Sequence, residues 1–200
     1  MSAANDATES AWPAILTWRA HDDSRIESTR VQLSGNRIKA YGRIAAAAAD
    51  THPAFSASYD LVTDETGATK RLSLSVTLAE RDRQLSIARD EENMWLITDH
   101  QGQTRASYEG ALDVDVVFSP FFNALPIRRT GLYRRADSVS LPVVYVSLPD
   151  LTVKQATISY SSSSPDGGDG IKLHSPVAET TITVDGDGFI LDYPGLAERI

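Results

Sequence analysis

Apolar and polar residues alternate along much of this chain with a period of two, the spacing that sends successive side chains to opposite faces of a strand. The clearest run is Leu72-Ser73-Leu74-Ser75-Val76-Thr77-Leu78, with its leucines and Val76 on one face and its hydroxyls on the other. Similar runs predict strands over residues 15–19, 26–33, 37–44, 54–62, 84–88 and 94–98. Others follow at 112–118, 143–148, 152–160, 171–174, 180–184 and 189–191. Ser34-Gly35-Asn36, Asp64-Glu65-Thr66-Gly67, His100-Gln101-Gly102 and Asp185-Gly186-Asp187-Gly188 separate runs with residues that tolerate positive φ. Strands and turns at this spacing indicate an all-β meander rather than βαβ units.

Several stretches depart from the pattern. Ser119-Pro120 reads as an N-cap with proline at the first helical position, so a short helix is expected over residues 120–125, covering one face or the mouth of the sheet. A second short helix is expected over 196–199. The serine- and glycine-rich stretch 161–170 reads as a long loop at a strand junction, and the alanine run 45–49 as a loop or strand end. Residues 1–10 are small and polar and are expected to form a disordered tail ahead of a single domain over 11–200.

Composition narrows the function. A domain of 200 residues can bury roughly 70% of the surface its unfolded chain exposes, so a core alone can hold it together. The absence of cysteine excludes disulfides, thiolate zinc sites and a cysteine nucleophile. A net charge of −8 argues against nucleic acid as a partner. The charge is uneven: acids dominate residues 165–200, whereas Arg128, Arg129, Arg134 and Arg135 stand against Asp137 alone. No secretory leader, myristoylation site or membrane-spanning apolar run is visible, so the expected compartment is the cytoplasm.

Candidate chemistry centres on residues 113–129. Asp113 and Asp115 lie two apart on a predicted strand and face the same side. They could pair with Arg128 and Arg129 in an ion network, contact a ligand head group, or act as acid and base. Asn123 stands within an apolar run, where an amide caps backbone or meets a polar ligand group. Asp185-Gly186-Asp187-Gly188 matches half of a calcium loop but lacks the closing glutamate, so it reads as a turn. His21, His52, His100 and His174 have no metal-ligand spacing, and no nucleophile elbow or phosphate loop is present, so no cofactor is expected.

The segment Gly110-Ala111-Leu112-Asp113-Val114-Asp115-Val116-Val117-Phe118-Ser119-Pro120-Phe121-Phe122-Asn123-Ala124-Leu125-Pro126-Ile127-Arg128-Arg129 resembles the central signature of the family described as putative glycolipid-binding. The stretch from Val184 to Arg199, with Asp192-Tyr193-Pro194-Gly195-Leu196, resembles that family's closing element. Trp18, Tyr145, Leu148-Pro149 and Gln155 also fall where the family has such residues, so the resemblance spans about Trp18 to Arg199. The chain departs from the pattern at Ala111, where the family has cysteine, and at Ser119 and Phe122, where it has threonines. Glu27 is the nearest match to an acidic residue early in the pattern.

The resemblance implies a strongly curved antiparallel sheet forming a half-open barrel with one or two short helices. It is distantly similar to periplasmic lipoprotein carriers, whose concave sheet holds acyl chains. The expected function is non-enzymatic binding of an amphipathic lipid or glycolipid. Apolar strand faces would hold the tail, worth roughly 0.8 kcal/mol per buried methylene before ordering costs. Asp113, Asp115, Phe121, Phe122, Asn123, Arg128, Arg129 and Tyr193 are the expected ligand-binding residues. The rivals are an enzyme on a small apolar substrate, with Asp113 or Asp115 as base, and an interaction module that pairs through a sheet edge.

Overall fold

A computed structural model describes residues 12–164 and 168–200, so the expectation for residues 1–10 and the middle of the 161–170 stretch lie outside the described residues. The alternating runs form β1 (Ala14–Ala20), β2 (Arg25–Ser34), β3 (Arg37–Ala46), β4 (Phe55–Thr63), β5 (Thr69–Thr77), β6 (Asp82–Arg89) and β7 (Trp95–Asp99). Then come β8 (Gly102–Ala106), β9 (Asp113–Val116), β10 (Asp137–Val146), β11 (Val153–Ser162), β12 (Ile171–His174), β13 (Glu179–Val184), β14 (Ile190–Tyr193) and β15 (Ala197–Arg199). All fifteen belong to one sheet in the order β8-β7-β6-β5-β4-β3-β2-β1-β15-β14-β13-β12-β11-β10-β9. The sheet is an open meander folded back on itself, with its first and last strands paired in the middle.

Antiparallel pairing holds throughout except at β9, which runs parallel to β10. Parallel neighbours need a crossover. Here residues 117–136 supply it, and within them Pro120–Asn123 forms a 3-10 turn that continues into helix α1 (Ala124–Thr130). The helical stretch therefore runs five residues beyond the expected 120–125. Pro126 does not end it, because it lies in the first turn of α1, where a missing N–H breaks no intrahelical bond. Gly131 does, adopting a left-handed conformation (φ 75°) that lets the Gly131 and Leu132 amides cap the Arg128 and Ile127 carbonyls.

The second expected helix, at 196–199, is instead strand β15. Trp18 pairs with Arg199 and Ala20 with Ala197, so these few residues join the N- and C-terminal halves of the sheet. Ser161 and Ser162, expected in a loop, are the last residues of β11 and pair with Ser138 and Asp137.

The inner face of the sheet curls round the helical segment. One cluster of buried side chains draws on β1 to β7, β9 and β10 and includes Trp18, Ile44, Leu61, Leu74, Ile87, Trp95 and Val144. It takes in Phe121, Phe122, Ala124 and Leu125, each at most 1% exposed. A second cluster lies under the C-terminal half and joins Ile127 and Leu132 to Val143, Tyr145, Ile158, Tyr160, Ile171, Ile190 and Tyr193. The expectation of an open apolar hollow thus meets a filled interior: the chain's own 120–130 segment occupies the concavity. Among the described residues no helix is long and apolar enough to cross a membrane.

Candidate functional site

Period-two alternation puts Asp113 and Asp115 on one side of β9, and the parallel register sets Val143 and Tyr145 of β10 beside them. That side faces the second cluster. The two acids nevertheless meet different environments.

Asp113 is 1% exposed and is held by Arg129 from α1, whose Nη2 lies 2.5 Å and Nε 3.2 Å from Oδ2. Burial outweighs this partner and raises the carboxyl above its ordinary range. Arg89 and Asp64, themselves paired at 2.5 Å, stand close enough to act on it. The arrangement ties β9, α1 and the β4–β5 turn together, which is the ion-network outcome for Asp113.

Asp115 has no cationic partner among the described residues and is only partly exposed. Burial, with Asp113 adding to it against a backbone hydrogen bond from Val116, pushes its carboxyl up to about 7. Around it stand three tyrosines contributed by β10, β11 and β14. Burial first and the Asp115 charge second push Tyr145 and Tyr193 up to about 12, and the same two causes hold Tyr160 well above its ordinary value. Tyr160 donates to Asn123 Oδ1 at 2.9 Å, so the amide at the end of the 3-10 turn joins this group. The Tyr145 hydroxyl is buried and has no hydrogen-bond partner among the described residues. An acid that stays near neutrality, ringed by phenols inside an apolar face, suits recognition of a hydroxyl-rich group.

The remaining expected residues go elsewhere. Phe121 and Phe122 pack on Tyr59 with ring centroids 5.8 Å and 5.0 Å away, and Phe121 also meets Trp18 and Phe189. Arg128 donates to the Asp187 carbonyl and lies over Phe189 at 4.9 Å, which pins α1 to the β13–β14 turn. Of the eight, the structure brings together Asp113 with Arg129, and Asp115 with Asn123 and Tyr193.

A third polar group was only hinted at by Glu27. This side chain of β2 is 2% exposed. Its Oε1 accepts from Tyr59 Oη and Ser119 Oγ, both at 2.6 Å, while Oε2 is buried without a side-chain partner among the described residues. Burial, partly offset by these hydrogen bonds and by Arg25, pushes the carboxyl up to about 7. Ser119 begins the helical segment, so Glu27 fastens that segment to the sheet. Tyr145, Tyr160, Tyr59 and Arg25 were missed as site residues. The aromatics read as ordinary core positions, and nothing local to Tyr59 signals its partner Glu27, far away in the chain. Among the described residues no group of three or more His, Asp or Glu side chains is gathered to hold a metal ion.

A single curved sheet wrapped round a helical plug, with buried polar groups on its inner face, defines a half-barrel class of β-protein. The chain belongs to the family described as putative glycolipid-binding, whose model matches residues 15–199. It is similar to a crystal structure of a DUF1089 family protein from Pseudomonas aeruginosa, with a TM-score of 0.69 at 22% identity, over 87% of this chain and 92% of that one. At that identity the likeness speaks for the fold. Among curated proteins none matches.

Proposed function

We propose that this protein binds, without catalysis, an amphiphile with a hydroxylated head group such as a glycolipid. The head group meets Asp115, Tyr145 and Tyr193, and the tail takes the place that Ile127 of the helical segment now fills in the second cluster. The observation that carries this reading is Asp115, an acid on the inner face that has no ion-pair partner among the described residues, beside a buried tyrosine hydroxyl that none of them satisfies. Keeping the Tyr145 hydroxyl unpaired costs the free protein on the order of 1–3 kcal/mol, and a ligand offering hydroxyls would relieve that cost. Family membership supports a binding role in general. A ten-carbon tail contributes about 8 kcal/mol before ordering costs, a scale suited to exchange with the plug's own apolar side chains.

The enzyme alternative narrows to Asp115, since Asp113 is committed to Arg129. A substrate-dependent turnover abolished in Asp115→Asn would favour it. For binding, the test is titration with octyl glucoside against octanoate, alongside mass spectrometry of lipids extracted from the purified protein. Saturable uptake of the glucoside that weakens about ten-fold in Asp115→Asn is expected. No extracted lipid together with no uptake of glucoside or apolar dye would end the proposal.

A further inference from the structure

The outer face of β1–β5 carries a feature that the inner site does not use. Arg30, Lys39, Arg43 and Arg71 all project outward and exposed, and none forms an ion pair with a described residue. Asp60 is the one acid on the outer face of β2–β5 among the described residues, and it lies opposite Tyr41 in the register. Amid these cations stand two large apolar side chains left in water: Ile15 at 69% and Tyr41 at 62% exposure. The register lines them up, with Ile15 opposite Arg30 and Arg30 opposite Tyr41. Ile26, 44% exposed, extends the apolar part along β2. A cleft of about 470 Å³ opens between Ile15, Arg30, Tyr41 and Arg43.

We infer that this face docks on an anionic lipid bilayer. A chain of net charge −8 that gathers unpaired cations on one sheet face has a local field opposite in sign to its overall charge. Basic side chains near an anionic membrane each add to the attraction, and aliphatic and aromatic groups among them enter the headgroup region. Tyrosine favours that boundary, where its ring is apolar and its hydroxyl wet. A nucleic acid would use the cations but would leave Ile15 and Ile26 idle, and the acidic remainder of the chain would repel its extended backbone.

The experiment is co-sedimentation of the full chain with vesicles of phosphatidylcholine alone and of phosphatidylcholine mixed with phosphatidylglycerol. Binding to the mixed vesicles, weakened by raising salt from about 0.1 M to about 1 M, is expected. Arg30→Ala and Arg43→Ala should each lower partitioning about five-fold, and together about thirty-fold. Ile15→Ser should lower vesicle binding while leaving binding to heparin, a soluble polyanion, unchanged. All three positions are exposed, so unchanged thermal melts will show that the variants are folded. Equal binding to neutral vesicles, binding to heparin but not to vesicles, or indifference to the substitutions would overturn the inference. The inner site is separable: Arg30→Ala/Arg43→Ala should still take up octyl glucoside.

Discussion

Tyr59 lies flat across Gly42, its register partner on β3, so closely that a β-carbon at position 42 would penetrate the phenol ring. Glycine is required there for contact, not for backbone conformation. The ring cannot retreat, because Phe121 and Phe122 back it from the helical segment. Gly42→Ala should therefore cost about 2–4 kcal/mol, through overpacking and through loss of the Tyr59 bond to Glu27. Urea denaturation will measure it. Most of that cost should vanish in a Tyr59→Ala background, which removes the obstructing ring.

Glu27 gives the fold a pH dependence. Its folded carboxyl titrates at about 7 against an ordinary 4.5, so between those values the native state holds a proton that the unfolded chain releases. Stability from this group is fully present below about pH 4.5 and is lost as pH rises to about 7, by roughly 3 kcal/mol in all. Glu27→Gln cannot ionise. Relative to the parent, its stability should improve by about that amount between the two pH values, read from denaturant midpoints in each buffer. An unchanged difference across that range would show that the carboxyl is not held neutral.

How far these relationships could be read from the sequence depends on whether their cause is local. Strict alternation marked Leu72 to Leu78, and turn residues such as Gly35 and Gly67 marked its neighbours, because period and turn chemistry are set within a few residues. Strand β8, Gly-Gln-Thr-Arg-Ala, was invisible because an almost wholly exposed edge strand has no buried face to leave an apolar signature. Strand β15 reads as helix in the sequence because its three residues owe their conformation to β1, 177 to 181 positions away by the pairing of Ala20 with Ala197 and Trp18 with Arg199. At the site, Asp113 and Asp115 were correctly placed on one face of β9. Their divergence, one paired and one unpaired, is decided by where α1 sends Arg129 and Arg128. The filling of the concavity by Phe121 and Phe122 was likewise hidden, since an apolar pair fits a ligand wall and a plug equally well.

The Asp113–Arg129 pair sets a second stability test. Removing the cation in Arg129→Met strands a carboxylate that is 1% exposed, and breaking a buried pair in this way costs about 3–5 kcal/mol. Asp113→Asn in the same background should restore a large part. In the single variant the Asp113 carboxyl rises further above its ordinary range, so the defect should shrink as pH is lowered and Asp113 takes up a proton. A loss that stays constant with pH would mean that Arg129 acts through packing alone.

Tyr145 separates stability from binding. Its hydroxyl is buried beside Asp115 with no partner among the described residues, so Tyr145→Phe removes a desolvated group while keeping the ring on its neighbours. The free protein should gain about 1 kcal/mol, raising its melting temperature by roughly 2–4 °C for a domain of this size. If the hydroxyl is kept for a ligand, the same change should weaken octyl glucoside binding about ten-fold, measured by calorimetry. A variant that is stabler and binds as well as the parent would reduce Tyr145 to a packing residue and leave Asp115 as the head-group contact. One that is less stable would reveal a partner for the hydroxyl, and the unsatisfied group on which the head-group site rests would be gone.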